Sequence, residues 1–353
     1  MINVGVDLHK TQMTVCYLAD DNQVSQKEYR TDQAGYEGFC ADLNGLTVPR
    51  KKIRVGVETT GNVWFFVKKV ESHVGEVRVV NTMKFKVIVS STSKTDRRDA
   101  RTIAEYLRKD MLPTVTLPDA DSRMIAKYVK VRDRYVKLAT RLKNQLHALF
   151  AEEGICLKTA DLSSNIRLHE LKTREINDEV RFLVEGLVEE VISLKTRIRE
   201  LERKLNDMTR EDTAVKLLRS IPGTGIVNAS AVRGIIADVE RFDDPKKMAA
   251  YAGLVPWVSN SNETVRHGHI TKRGSIILRN AMVQMAMGII RYWARGNGMN
   301  NEPLYNWYRH IKGRTSGGKS KIALARKMTH IVWSMLKNGH EFSSMVVLPS
   351  RAG

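Results

Sequence analysis

The chain has 353 residues, with 58 Lys and Arg against 39 Asp and Glu, and its formal net charge is +19. This charge favours a polyanionic partner, either nucleic acid or an anionic membrane surface. No apolar run approaches the ~20 residues of a spanning helix, and the N-terminus reads as a strand rather than a signal sequence. We therefore expect a cytoplasmic protein without membrane association.

The cysteines, Cys16, Cys40 and Cys156, are widely spaced and form no CxxC pair. This spacing argues against a disulfide framework and against a zinc site, so we expect all three to fill the core in a reducing cytoplasm.

A first region, 1–112, combines strand and helix patterns. The apolar alternation of Ile2, Val4 and Val6 ends at Asp7, and a second apolar run at 15–19 predicts a hairpin. Further along, the pattern predicts a polar strand at 23–30, helices at 36–43 and from 63 to 70, strands at 52–58 and 77–80, and a helix after 93–99.

Four acids stand at the ends of these elements. Asp7 and Glu58 close two similar strands, each after a Val-Gly-Val segment, and Asp96 and Asp99 are three apart at a helix start. Carboxylate oxygens suit Mg²⁺, and a pair of such ions can stabilise both oxygens of a phosphoryl transfer. Taken singly, each acid is also explained as a polar strand end or as a first-turn residue that complements the helix dipole.

The second region, 113–210, is predicted to contain two long helices. Ser122 to Ala148 carries eight Lys or Arg residues and one acid, and we interpret Arg132, Arg134, Lys137 and Arg141 as phosphate contacts, with a solvated basic face as the alternative. The apolar stripe of this helix is predicted at Met124, Tyr128, Val131, Tyr135, Leu138, Leu142, Gln145 and Leu149.

The other long helix, 179–208, has a four-three apolar spacing and flanking charges of mixed sign. This pattern is typical of a coiled coil, either folded on the basic helix or, as we favour, between subunits. Its seam comprises Val180, Val184, Leu187, Val191, Leu194, Ile198, Leu201, Leu205 and Met208.

The third region, 211–342, is predicted to be mainly helical, and 343–353 is a tail. Gly223 and Gly225 lie in a turn between two helix patterns, as in a helix-hairpin-helix motif that binds a DNA phosphate; the alternative is an ordinary tight turn.

A polar loop at 257–269 precedes a helix at 276–290. Between Arg266 and Lys337 there are fourteen Lys or Arg residues and one acid, so this region is predicted to bind nucleic acid through Arg266, Lys272 and Arg273. Trp293, Trp307 and Tyr308 lie among these Lys and Arg residues and could stack on nucleobases, although such aromatic residues are more often buried in a helical core.

One motif is set aside. Residues 313–320 satisfy the P-loop pattern, but the preceding segment is polar and helix-like rather than a buried apolar strand. We interpret these residues as a flexible basic loop that could contact nucleic acid, and not as a nucleoside triphosphate site.

Spacing alone does not select a nucleophile among Ser259, Ser261 and Ser275. The segments Val-Gly-Val-Asp7, Val-Glu58-Thr-Thr-Gly and Lys94-Thr-Asp96-Arg-Arg-Asp99 resemble the acidic tetrad of the DEDD-type, RuvC-like insertion-sequence transposases. Ala-Gly-Leu-Val-Pro256, with a serine five residues later, followed by Gly268-x-Ile-x-Lys272-x-Gly274, is similar to the C-terminal transposase domain of that family of bridge-RNA-guided recombinases. The match makes Ser261 the nucleophile, with Asn262 where the family usually has glycine.

The resemblance implies an α/β plus α fold: an RNase H-like mixed sheet at 1–112, a coiled-coil insert at 113–210, and a helical transposase domain at 211–342. It further implies that Ser261 forms a phosphoserine link to DNA beside Mg²⁺, or Mn²⁺ as a substitute, held by Asp7, Glu58, Asp96 and Asp99. The expected partners are donor and target DNA, a structured non-coding guide RNA, and further copies of the chain in a dimer of dimers, acting at the prokaryotic nucleoid. A RuvC-like junction nuclease without a covalent intermediate and a non-catalytic nucleic-acid scaffold are the alternatives.

Overall fold

The structure is a computed structural model that describes residues 1–88, 95–261, 264–297 and 303–343, and for residues 258–267 the backbone alone. The chain forms two compact units, residues 1–117 and 118–353, which are described separately.

The N-terminal unit is built on a five-stranded mixed sheet of order β3-β2-β1-β4-β5. β1 pairs antiparallel with β2 and parallel with β4, and β4 pairs parallel with β5. The mixed sheet therefore agrees with the predicted α/β class. Its strands are β1 (Ile2–Leu8), β2 (Gln12–Ala19), β3 (Val24–Arg30), β4 (Ile53–Glu58) and β5 (Glu76–Val80).

Helices cover both faces of this sheet because successive side chains of a strand point to opposite faces. Val4 and Val6 share a core with Phe39 and Phe66, whereas Cys16 packs on the other face against Ala100 and Ala104. The first core belongs to α1 and α2 and the second to α4. The helices are α1 (Gln33–Asn44), α2 (Val63–Val70), α3 (Thr82–Ile88) and α4 (Asp96–Arg108).

The second unit opens with two long helices, α5 (Ala120–Glu152) and α7 (Asp178–Thr209), which pack together within the chain. They run antiparallel, since Arg132 of α5 pairs with Glu202 of α7 while the Glu153 carboxylate accepts from the backbone N–H of Asn177. The short helix α6 (Asn165–Glu170) lies between them in sequence. The packing thus follows the intramolecular alternative, and pairing between subunits stays a prediction.

The predicted stripe of α5 is wrong by about one position. Met124 and Leu138 are exposed, and Ile125, Val129 and Leu146 are buried instead. The structure explains the shift, because α5 presents small residues where other helices come close: a Cβ added to Gly234 would lie 2.8 Å from the backbone nitrogen of Ala126. The α7 seam is correctly placed, with Val184, Val191, Leu194 and Leu205 buried.

The rest of this unit is a helical core that carries a two-stranded antiparallel hairpin. The prediction of a loop at 257–269 is therefore wrong, because these residues form most of β6 (Pro256–Ser261) and β7 (Thr264–Ile270). The helices are α8 (Thr213–Arg219), α9 (Ile226–Ile236), α10 (Pro245–Tyr251), α11 (Ile276–Ala294), α12 (Pro303–Arg314) and α13 (Gly317–Asn338). Short 3-10 turns occur at Arg50–Lys52, Thr159–Leu162, Leu171–Thr173 and Val239–Arg241.

Two further expectations change. The P-loop-like segment is not a flexible loop, because Ser316 caps α13 and residues 317–320 form its first turn. Core filling holds for buried Cys16 but not for exposed Cys156, and Cys40 is half-buried. In the described parts of the chain, none of the helices has both the length and the apolar character that a membrane span requires.

Candidate active site

Two acidic side chains come together where β1 and β4 end. The strands are paired in parallel with Gly5 opposite Gly56 and Val6 opposite Val57. Continuing this register places Asp7 beside Glu58. Because side chains alternate, both acids project from the same face as the two glycines.

These glycines allow α4 to lie close to the sheet on that face. A Cβ at Gly5 would lie 2.0 Å from the carbonyl oxygen of Ala100, and one at Gly56 would lie 2.8 Å from Ile103. Real side chains do not tolerate such distances, so α4 could not take this position over larger residues. The Val-Gly-Val-acid pattern thus encodes both the acid and the space for the helix beside it.

The start of α4 supplies the remaining acids. The Thr95 hydroxyl accepts a hydrogen bond from the backbone N–H of Arg98, which is the usual N-cap geometry. Asp96 and Asp99 consequently lie in the first turn, with Asp96 exposed and Asp99 half-buried.

Asp7, His9 and Asp96 form a compact group whose potential ligand atoms all lie within 4.8 Å of one another. His9 Nε2 lies 3.0 Å from the Asp7 carboxylate and 3.6 Å from that of Asp96. His9 was missed in the sequence analysis. Its position two residues beyond Asp7, on the same side of an extended segment, is the signal that could have found it.

Burial and the neighbouring charges have opposing effects on the pKa values of this group. Burial, together with the neighbouring Glu58 and Asp96 carboxylates, raises the pKa of Asp7 to about 6, although His9 acts in the opposite direction. Desolvation disfavours charge on His9, but the negative charges of Asp7 and Asp96 outweigh it and raise the pKa of His9. Asp7 is 3% exposed, whereas His9 and Asp96 are about half exposed, so water screens the interactions between them in part.

This group has the chemistry of a divalent cation site. It offers carboxylate oxygens, which are the donors that hard cations prefer. Its buried member, Asp7, has a raised pKa, so a bound cation would relieve the unfavourable energy of its negative charge. Asp7 and Asp96 are thus brought together with Glu58 next to Asp7, while Asp99 lies on the helix turn that carries Asp96.

The β6–β7 hairpin carries the backbone of Ser261, opposite Thr264 near the hairpin tip, and that of Ser259, opposite Arg266. The side chains of all four lie outside the described residues. The base of the hairpin is fixed by two left-handed glycines: a Cβ at Gly253 would lie 2.4 Å from the Arg273 carbonyl oxygen, and one at Gly274 would lie 2.2 Å from that of Tyr251. Gly253, before β6, and Gly274, after β7, therefore let the two turns at the base of the hairpin pack against each other.

Comparison with known proteins identifies the family of the chain. Residues 4–153 match the profile of the IS110 DEDD transposase domain, and residues 215–298 match the profile described as the IS116/IS110/IS902 transposase family. Together the two matches span more than half of the chain. The chain belongs to this family of insertion-sequence transposases.

Individual relatives are distant but cover most of the chain. A Pseudomonas aeruginosa protein named "Probable family 20 transposase" is 26% identical over 80% of this chain and 83% of its own length. The transposase for insertion sequence element IS1111A of Coxiella burnetii is 25% identical over 94% of this chain and 89% of its own. The pilin gene-inverting protein of Moraxella bovis is 22% identical over 97% of this chain and 98% of its own.

In this transposase, the basic residues predicted on α5 have different environments. Arg132 pairs with Glu202 at 2.7 Å and Lys137 pairs with Asp133 at 2.7 Å. Arg134 and Arg141 are exposed. The first two therefore have structural partners, whereas Arg134 and Arg141 present their charge to solvent.

The predicted residues of the second unit of the transposase also differ in surroundings. Gly223 has a left-handed backbone and lies so close to α11 that an added Cβ would be 2.7 Å from the Gly288 backbone, while Gly225 begins α9 beside open space. This gives Gly223 a packing role in addition to any contact with phosphate. Lys272 and Arg273 are exposed in the turn before α11.

Proposed function

We propose that this transposase cuts and exchanges DNA strands through a covalent link between Ser261 and a DNA 5′-phosphate, at a site whose acidic part is Asp7, Glu58, Asp96 and Asp99. The observation that carries the acidic half of the proposal is the convergence of Glu58 and Asp96 on the buried Asp7 carboxylate, whose pKa is raised; the role of Ser261 rests on the resemblance of its segment to the transposase family. The family match over the same segments supports it.

The reaction conserves phosphodiester bonds. The Ser261 oxygen attacks the phosphorus, a Ser–O–P ester forms, and the bond from phosphorus to the 3′-oxygen breaks; the serine loses a proton and the departing 3′-hydroxyl gains one. A 3′-hydroxyl from the partner duplex then attacks the same phosphorus, and serine is regenerated. No external energy source is needed, which agrees with a P-loop-like segment that folds as a helix.

The acids would hold Mg²⁺, with Mn²⁺ as a substitute, through Asp7, Glu58, Asp96 and Asp99. When bound, such an ion neutralises charge on the phosphoryl oxygens and on the leaving 3′-oxygen. His9, which contacts both Asp7 and Asp96, would orient these two carboxylates.

Sequence choice is proposed to rest on a structured guide RNA of the bridge type, with the protein binding donor and target DNA through basic side chains such as Arg134, Arg141, Arg266, Lys272 and Arg273. Simultaneous exchange between two duplexes requires several protomers, and we propose a dimer of dimers at the bacterial nucleoid. The similarity to the pilin gene-inverting protein of Moraxella bovis supports a role in rearranging DNA.

A denaturant-resistant adduct tests the chemistry. Wild-type protein incubated with guide RNA, Mg²⁺ and a nicked substrate that prevents religation is expected to form a protein–DNA band that survives detergent. Ser261→Ala should abolish the band. Ser259→Ala, two residues away on the same strand, is the matched control and should retain it.

The alternative is a junction nuclease in which the acids activate water. Efficient cleavage without any adduct, unaffected by Ser261→Ala, would support that nuclease and refute the serine mechanism. An adduct lost only in Ser259→Ala would refute the assignment of Ser261.

A further inference from the structure

The second unit contains a cleft of about 1000 Å³ between the base of the β6–β7 hairpin, α12 and α13. Its walls include the apolar side chains of Ile270, Trp307, Ile322 and Trp333. A cavity of this size lies at the upper end of the range for ligand sites. Trp307, which the sequence suggested for stacking on nucleobases, lines it, whereas none of the basic residues predicted to bind nucleic acid does.

The charge in this cleft has one dominant sign. Lys319, Arg326, Lys327 and His330 line it, and no carboxylate pairs with the first three among the residues that the structure describes. Burial, together with Lys327 and Arg326, lowers the pKa of His330, so this ring adds little positive charge; Asp244, the N-cap of α10, acts in the opposite direction more weakly. The cleft is therefore complementary to an anion.

One of these cations lies against the aromatic wall. Lys327 Nζ lies 6.0 Å from the ring centroid of Trp307, and both side chains are half-buried. Burial lowers the pKa of Lys327, because a partly buried ammonium group has less water around it. An ammonium group in such surroundings is stabilised by a phosphate that restores the missing interactions.

The arrangement joins flat apolar walls to a cationic rim. Of the aromatic residues suggested by the sequence for stacking, Trp293 and Tyr308 are buried in the helical core, whereas Trp307 lines the cleft. A planar base beside Trp307 would gain stacking, and its phosphate would meet Arg326 and Lys327. Gly318 and Lys319, in the first turn of α13, also line the cleft.

We propose that this cleft holds one unpaired nucleotide of a nucleic-acid strand, with its base against Trp307 and its phosphate at Arg326 and Lys327. The inference rests on the proposed function only for its class of ligand, a nucleic acid. Pro256, at the start of β6, lines the cleft, and Ser261 lies five residues further along the same strand. At the rise of a strand, this separation is roughly 17 Å. A nucleotide anchored here would fix the strand within a few nucleotides of the reacting phosphate.

The test compares two labelled duplexes by fluorescence anisotropy, one with a single bulged adenosine and one with an abasic sugar at the same place. Wild-type protein is expected to prefer the bulged base by about tenfold. Trp307→Leu should remove this preference. Arg326→Gln and Lys327→Met should weaken binding of both probes, and Lys321→Met, an equal charge change on an exposed position of α13, should leave the preference intact.

Photocrosslinking keeps the test independent of folding effects in the variants. An 8-azidoadenosine in the bulge of the wild-type complex should attach to a cleft residue that mass spectrometry can identify. DNA and RNA versions of the bulge distinguish the strand that supplies the nucleotide.

Equal binding of both probes by wild-type protein, or an unchanged preference in Trp307→Leu, would overturn the proposal. Binding of free AMP without any preference for the bulged base would also overturn it, because the site would then take a free nucleotide. A preference for the bulged base without any Ser261 adduct would support the nucleotide site and refute the proposed function. A Ser261 adduct without that preference would refute the nucleotide site alone.

Discussion

A carboxylate buried beside other carboxylates lowers the stability of a folded protein unless a cation joins it. The pKa of Asp7 is raised from 3.8 to about 6, so the folded state binds the proton more tightly than the unfolded state does. The resulting destabilisation is fully present above pH 6, decreases as the pH falls, and is absent below 3.8. In the absence of metal it corresponds to about 3 kcal/mol at most.

Asp7→Asn is therefore expected to raise the melting temperature of the metal-free protein at neutral pH, because it removes the buried charge. Mg²⁺ should stabilise the wild type, by about 2.7 kcal/mol at a hundred times its Kd, and should no longer stabilise the variant. Calorimetry with chelator and with Mg²⁺ measures both effects.

Asp96→Asn is the matched control, since Asp96 is exposed. It should lose stabilisation by Mg²⁺ but gain less stability in chelator than Asp7→Asn does, because Asp96 contributes only a small part of the repulsion on Asp7. A less stable Asp7→Asn protein that still responds fully to Mg²⁺ would contradict this account of the site.

At the scale of elements, the contact between α4 and the sheet determines whether the acids meet. Gly5→Ala would place a Cβ 2.0 Å from the Ala100 carbonyl oxygen, so the helix must move. We expect a loss of about 1–3 kcal/mol of stability and a weakened response to Mg²⁺, measured by denaturant unfolding with and without the ion.

Gly186→Ala provides the control for this change, because Gly186 lies within α7 beside open space. It is expected to gain about 0.5–1 kcal/mol, since alanine is the better helix former. Unchanged stability in Gly5→Ala would show that α4 does not need the close approach.

On α5, basic residues that form ion pairs within the protein can be distinguished from those that are available to bind nucleic acid. Arg134 and Arg141 are exposed, whereas Arg132 pairs with Glu202. Arg134→Gln and Arg141→Gln are each expected to weaken nucleic-acid binding and to reduce the slope of log affinity against log salt by about one. Arg132→Gln should change that slope less and should loosen the contact between α5 and α7. Equal slopes in the three variants, measured by salt titration of DNA binding, would contradict the distinction.

At the scale of the whole molecule, a net charge of +19 on a transposase is consistent with a nucleic-acid partner, and the proposed guide RNA can be tested directly. We expect the protein purified from its host to carry a defined non-coding RNA encoded beside its gene. Sequencing of the co-purified nucleic acid checks this. A random sample of cellular RNA would contradict guidance by a dedicated RNA.

Much of the N-terminal unit could be predicted because each of its signals is local. Val-Gly-Val-Asp7 and Val-Gly-Val-Glu58 combine a buried strand, a small residue and an acid within four positions. His9 was missed because its spacing of two residues from Asp7 is a weak signal alone, and its contact with the distant Asp96 is visible only in the folded chain.

The second unit was harder to predict for physical reasons. A two-stranded ribbon such as β6–β7 gives little apolar alternation, so its polar sequence resembles a loop. In α5, the stripe shifted because small residues such as Ala126 and Ala139 are buried, whereas the larger Met124 and Leu138 are exposed. The two glycines at the start of α13 concealed a helix that Ser316 caps.

The most direct measurement of the central claim is the yield of DNA-linked Ser261 peptide, determined by mass spectrometry in wild-type and Asp7→Asn proteins that bind DNA equally. The account predicts a peptide with a nucleotide on Ser261 in the wild type, dependent on Mg²⁺, and none in Asp7→Asn. The same yield from both proteins would contradict it, because the serine would then react without the acids.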